Sequence, residues 1–407
     1  MAADPQQLAV SLKAQTEFDH VWLTAAPQLG ETQACVQSQA AALSVASRED
    51  LPALDYRKGY CLLVGATIDH SQADFTGAAD AFDKAIEAWP AHFPAKTPPQ
   101  PVPSGLRILA SIAHLEADAG AEGVPPSADR AQKEIFAAVT TPVCSSNLMH
   151  ETACDMLLTA GREWLGWIDI KRDDVLQAGS DLTPVEGTGW RAWARGMEAF
   201  RDRSYPEAAR DYRQAIDEWN RRPAGEGPLA ERVSPRPDMP QALTDLGGAQ
   251  LLAGDTTGAI ATLSVAIKRD PSNARAFYLR ARALETSGKM EQALADYNLA
   301  SRTAFANAKD LASGEAHLYR GITYYLKKDY PRAEDEFSSA LNFQIPEKER
   351  ADATAWRHLA IIASGSCDVS ASFLEQALEQ VSPYFPKDEA RAALTTCANT
   401  ASVARPK

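Results

Sequence analysis

Apolar positions recur along the chain at the spacing of α-helices, and turn residues cut them into short helical lengths. Leu8, Val10 and Leu12, then Phe18, Val21, Trp22 and Leu23, mark a first helix that Pro27 and Gly30 break, so a helical hairpin is expected from Gln6 to about Ala46. A second runs from about Leu54 to Trp89, with Ala78, Phe82 and Ala85 in its second helix. The proline run from Pro94 to Pro103 excludes helix and predicts an extended surface strap. Helices around Leu106 to Ala117 and Ala128 to Val139 form a third pair. A fourth spans about Asn147 to Leu182, with Met156, Leu157, Trp164 and Trp167 as its apolar stripe. Asp181 to Gly187 then reads as the best boundary in the chain.

Beyond it the pattern becomes periodic. Leu246-Gly247, Gly254, Ala259, Leu263, Ala266 and Pro271 return 34 residues later as Arg280-Ala281, Gly288, Ala293, Tyr297 and Ala300. Small residues at fixed spacing let two antiparallel helices approach closely; the Gly turns the chain between them. Gly196, Tyr205, Ala208, Tyr212 and Ala215 form an earlier unit, lengthened by 17 residues in the Pro/Gly-rich stretch Arg222 to Pro240. Gly321, Tyr324, Tyr330, Ala333, Phe337 and Ala340 form a later one, lengthened by six around Ala304 to Ser313. A weaker unit holds Trp356, Leu359, Ala363, Leu374 and Ala377, and a helix from about Lys387 to Cys397 is expected to cap the array.

A 34-residue period with this small-residue pattern resembles the tetratricopeptide repeat family. The resemblance implies an all-α, right-handed superhelical solenoid of roughly nine antiparallel helix pairs. Three regions follow: 1–182 as N-terminal degenerate hairpins, 189–345 as the repeat array with its Pro-rich insertion at 222–240, and 346–407 as a degenerate C-terminal hairpin and cap. In the family, positions 2, 5, 9 and 12 of each first helix tend to line a concave groove. On this chain those positions hold Trp190, Trp193, Met197 and Phe200, then Arg275, Tyr278, Arg282 and Glu285, then Glu315, Leu318, Ile322 and Tyr325, with Tyr319 alongside. Aromatic and Arg side chains are the types enriched at binding hot spots. Trp190 and Trp193 have a second reading, simple burial against the fourth hairpin. The Lys and Asn clamp that some members use for a peptide carboxylate is absent, since Trp193, Met197, Asp245 and Arg275 stand there.

Charge and cysteine placement narrow the setting. A net charge of -13 and no evident basic patch argue against nucleic-acid binding. The longest apolar runs, such as Tyr60 to Ile68, are too short to span a bilayer. The N-terminal residues show neither a basic nor an apolar leader segment, so no signal peptide is expected in this sequence. The six cysteines form three sequence-local pairs: Cys35 with Cys61, Cys144 with Cys154, and Cys367 with Cys397. The first and third are centred on predicted hairpin turns, which places their members opposite one another as a disulfide requires. Three disulfides imply a periplasmic or secreted protein; buried free thiols in a cytoplasmic one are the alternative.

Candidate chemistry is sparse. Gly187-Thr188-Gly189-Trp190-Arg191-Ala192 has dinucleotide-loop spacing but no preceding strand, and reads as a helix entry. Cys144, His150 and Cys154 lack a fourth metal ligand and a standard zinc spacing. No catalytic grouping, metal or cofactor is expected. The sequence supports a non-enzymatic scaffold that holds another protein's peptide or helix in its groove, within an extracytoplasmic assembly. The rivals are a structural subunit docked by its convex face or loops, and a glycan- or small-ligand-binding protein using exposed Trp190 and Trp193.

Overall fold

The computed structural model describes residues 5–24, 26–92, 101–118, 124–144, 151–221, 233–307, 313–343, 345 and 347–403. Among them every regular element is helical. They fall into two compact units, Met1–Glu198 with Gln214–Pro237, and Ala199–Arg213 with Asp238–Lys407.

In the first unit α1 (Pro5–Leu23) precedes α2 (Leu29–Leu43), α3 (Leu51–Asp69), α4 (Gln72–His92), α5 (Ser104–Ala117), α6 (Ala128–Thr140), α7 (Glu151–Lys171) and α8 (Val175–Leu182). Two further helices, α9 (Trp190–Arg201) and α10 (Tyr205–Arg221), contribute residues to both units. The second unit continues with α11 (Met239–Leu252), α12 (Thr256–Arg269), α13 (Ala274–Thr286), α14 (Met290–Asn307), α15 (Gly314–Leu326) and α16 (Tyr330–Asn342). It ends with α17 (Glu347–Ala363), α18 (Asp368–Ala377) and α19 (Lys387–Val403). From α1 to α8, and again from α11 to α19, each helix packs on the next.

Local chemistry sets the helix starts. Asp238, Asp255, Asn273 and Ser313 each accept a hydrogen bond from the backbone N–H three residues on, which satisfies one of the free donors of a helix N-terminus. Gly30 does not break the first hairpin but lies inside α2. The helix starts instead at Gln28, whose backbone N–H donates to Glu31 Oε2 at 2.7 Å. At the other end α19 runs past Cys397 to Val403, because no Pro or Gly interrupts residues 398–403.

The small residues do what their spacing requires. Ala259, Leu263 and Ala266 are fully buried, as are Ala293, Tyr297 and Ala300, and Ala333, Phe337 and Ala340. In the first unit Ala78, Phe82 and Ala85 repeat the arrangement. A continuous core there joins Phe18, Tyr60, Phe82, Leu109, Ile135 and Trp164.

Of the Pro-rich stretches, residues 93–100 and 222–232 lie outside the described residues. The end of the second stretch is pinned to the first unit. Trp164 Nε1 donates to the Val233 carbonyl at 2.6 Å, Trp190 Nε1 to the Pro235 carbonyl at 3.1 Å, and Arg236 to the Thr67 carbonyl at 2.9 Å.

Candidate functional site

The second unit brings together side chains from the first helix of each pair, and a segment of the same unit lies across them. That segment, Ser382 to Glu389, follows α18 and enters α19. We call it the clasp. Ser382 donates its backbone N–H and its hydroxyl to the two carboxylate oxygens of Asp352 in α17, at 2.7 and 2.6 Å. Arg282 of α13 donates from Nε to the Tyr384 carbonyl at 3.1 Å. The Arg275 guanidinium lies near the Tyr384 phenol and opposes the burial that pushes it up. Tyr325 of α15 donates its hydroxyl to Glu389 Oε1 at 2.8 Å.

The clasp's two aromatic rings fill the space between these polar anchors. Tyr384 is 8% exposed and faces Phe200 of α9, with ring centroids 6.4 Å apart. Its hydroxyl lies where a Cβ on Gly248 of α11 would stand, so only glycine lets the ring come this close. Phe385 is 4% exposed and meets Trp356 of α17 edge-on at 5.2 Å. Trp356 in turn contacts Tyr325 at 5.0 Å and Phe337 at 6.1 Å.

Electrostatics keep these partners in their donor and acceptor states. Burial, then the Glu389 carboxylate, holds the Tyr325 phenol well above its ordinary value, so it remains a donor. Arg282 also donates from Nη1 to Glu285 Oε2 at 2.6 Å, and the same oxygen accepts from the Tyr297 hydroxyl at 2.6 Å. The guanidinium is thereby aimed at the clasp rather than free to swing. Nearby, desolvation and then the charge of Glu315 push Glu349 up to about 8, so this carboxyl holds a proton at neutral pH.

The residues singled out by sequence distribute unevenly over this arrangement. Phe200, Arg275, Arg282 and Tyr325 touch the clasp. Tyr278 and Tyr319 stack on each other at 4.9 Å, both buried behind it, and Ile322 is fully buried core. Trp190, Trp193 and Met197 belong to the other unit. Trp190 and Trp193, 5% and 7% exposed, pack against Trp219 at 5.0 and 5.5 Å. Both rings are therefore buried, in contact with Trp219 of α10. Met197 is half-buried.

Sequence reasoning missed Asp352, Trp356, Tyr384, Phe385 and Glu389 as members of this face. The available signal was a pair of adjacent aromatics inside a Pro-bounded turn, where large apolar side chains need something to cover them.

The cysteine pairs lie at disulfide geometry, with Cα atoms 6.1 Å apart for Cys35 and Cys61, 5.8 Å for Cys144 and Cys154, and 5.5 Å for Cys367 and Cys397. His150, the third member of the metal grouping considered from sequence, lies outside the described residues. Among the described residues no helix is long and apolar enough to cross a membrane.

The family model described as tetratricopeptide repeat matches residues 194–274 and 259–309. Residues 194–309 thus carry tetratricopeptide repeats. Solved structures of similar repeat proteins accompany this match. A thermophilic tetratricopeptide repeat protein from Thermus thermophilus is 19% identical over 52% of this chain and 99% of its own, with a TM-score of 0.38. A tetratricopeptide repeat protein from Parabacteroides merdae is 13% identical over 74% of this chain and 99% of its own, with a TM-score of 0.39. Yeast Tom70 is 11% identical over 97% of this chain and 89% of its own, with a TM-score of 0.38. None of the curated proteins compared with it matches the sequence. The first-helix face of the second unit offers donors for a carbonyl and a carboxylate, an acceptor for an N–H, and aromatic walls.

Proposed function

We propose that this tetratricopeptide repeat protein is a non-enzymatic interaction scaffold that holds a partner's peptide segment against the first-helix face of its second unit. One observation carries the reading. Arg282 and Tyr325, two residues of that face, donate to a backbone carbonyl and to a carboxylate of a non-repeat segment. Backbone-directed donors flanked by aromatic walls are what peptide recognition requires, since the hydrogen bonds supply affinity and the walls supply selectivity. The three cysteine pairs favour an oxidising setting, such as an extracytoplasmic assembly, for this scaffold.

Affinity capture from extract of the source cells, using wild type and an Arg275→Ala/Arg282→Ala variant, tests the reading. A partner identified by mass spectrometry with wild type should be lost with the variant. A partner retained by both sinks the groove reading and favours docking by other surfaces, as a structural subunit would.

A further inference from the structure

Resting on that reading, we propose that the clasp is an intramolecular stand-in for the partner, and that its chemistry defines the partner's. The partner presents a turn that leads into a helix, with a hydroxyl residue two positions before a pair of adjacent aromatics. A proline follows the pair, and a carboxylate lies five residues after the first aromatic.

Each element of that description is read from a contact. Asp352 takes both the N–H and the hydroxyl of Ser382, a pairing that an apolar residue at this place would leave half-satisfied in a buried carboxylate. The space above Gly248 and beside Phe200 takes Tyr384, whose hydroxyl stands against that glycine and near the Arg275 guanidinium. Trp356 takes the second ring edge-on. Arg282 reads backbone alone, since it meets the Tyr384 carbonyl, and so fixes register without regard to sequence. Tyr325 takes the carboxylate. The clasp is therefore held as a peptide ligand would be, through both backbone and side-chain contacts.

Connectivity makes the clasp a competitor. It is flanked by α18 and α19, and the Cys367–Cys397 pair joins the start of α18 to the middle of α19. A tethered ligand acts at an effective concentration on the order of millimolar. A free peptide of the same sequence must overcome that concentration, so the full chain binds it weakly until the clasp is weakened.

The test uses a fluorescein-labelled synthetic peptide with the sequence of residues 380–391, titrated into full-length protein and followed by anisotropy. Three proteins are compared: wild type, a clasp variant (Tyr384→Ala/Phe385→Ala/Glu389→Gln), and the clasp variant with Arg282→Ala added. The clasp variant should bind the peptide at least about ten-fold more tightly than wild type, and the Arg282→Ala addition should remove that gain. Equal affinity for wild type and clasp variant overturns the proposal, as does no binding to a clasp variant whose circular dichroism remains helical. A clasp variant that loses its helical signal also counts against it, because the clasp is then core rather than ligand. Hydrogen exchange on wild type gives an independent check. Excess unlabelled peptide should speed exchange of the amides at 382–389, and unchanged exchange there overturns the proposal. Because the probe is the chain's own sequence, these outcomes do not depend on whether a cellular partner is captured.

Discussion

The side chain of Leu263 occupies the place where a Cβ on Gly247 would stand, its Cγ 2.5 Å from that point. The same relation holds between Gly321 and Phe337, whose Cε1 is also 2.5 Å from the built position. In each case a glycine on the first helix of a pair receives the central large residue of the second. The requirement is steric and local, so it yields a prediction with an internal control. Gly321→Ala must displace a buried ring and should cost about 1–3 kcal/mol. Gly179→Ala, inside α8 with nothing within 4 Å of the added methyl, should gain up to about 1 kcal/mol from helix propensity. Urea unfolding of the two variants measures both, and a neutral Gly321→Ala would mean that close helix approach is not what the glycine is for.

The turns inside the pairs share a second device. Gly254 and Gly288 have φ of 85° and 74°, and the corresponding turns elsewhere place Asp173, Arg203 and Lys328 at 62°, 61° and 62°. The left-handed residue comes just before the cap of the next helix whether or not it is glycine. A side chain in that region costs about 1–2 kcal/mol, less the extra chain entropy that glycine loses on folding. Lys328→Gly should therefore stabilise the protein by about 0.5–1 kcal/mol, and Gly288→Ala, with open space around it, should destabilise it by about 1 kcal/mol. Thermal unfolding decides both; a loss of stability in Lys328→Gly would show that its side chain contributes more than its backbone costs.

These two regularities explain what was legible in the sequence. Helix pairs announce themselves because a small residue and a large one must recur at fixed spacing for two backbones to meet. The clasp does not, because Arg282 and Tyr384 are 102 positions apart and nothing periodic links them. Counting repeat positions placed Arg275, Arg282 and Tyr325 on one face, and all three touch the clasp. The same counting put Trp190 and Trp193 in line with them, since it treats every repeat alike. Those rings instead pack against Trp219, which belongs with them to the first unit. What covers a face is decided by the non-repeat segments, the clasp in one unit and residues 233–236 in the other.

The three cysteine pairs close loops of different length, with sequence separations of 26, 10 and 30. In the chain-entropy account a disulfide restrains the unfolded chain more when its loop is longer, by about 2–4 kcal/mol in typical cases. Cys367→Ser/Cys397→Ser should therefore lower Tm more than Cys144→Ser/Cys154→Ser. Non-reducing mass spectrometry of oxidised wild type should find no free thiol, and a reductant should lower its Tm. Six alkylatable thiols in protein purified without reductant would remove both expectations.

A last prediction concerns pH. Asp169 of α7 is buried and accepts from Gln132 Nε2 at 2.8 Å, while its carboxyl hydrogen-bonds that of Asp181. Desolvation, then the hydrogen bond and charge of Asp181, push Asp169 up to about 7, with Arg172 opposing. An unfolded aspartate ionises near about 3.9. Between those two values the folded protein keeps a proton that the unfolded chain has lost, so stability falls as pH rises through the window. The cost is fully present above about 7 and absent below about 4. Asp169→Asn keeps an oxygen for Gln132 and supplies an N–H for the Asp181 carboxylate without needing a proton. It should match wild type near pH 4.5 and exceed it at pH 8 by on the order of 2 kcal/mol in urea unfolding. A difference between the two proteins that does not change with pH would show that Asp169 does not carry its proton in the folded state.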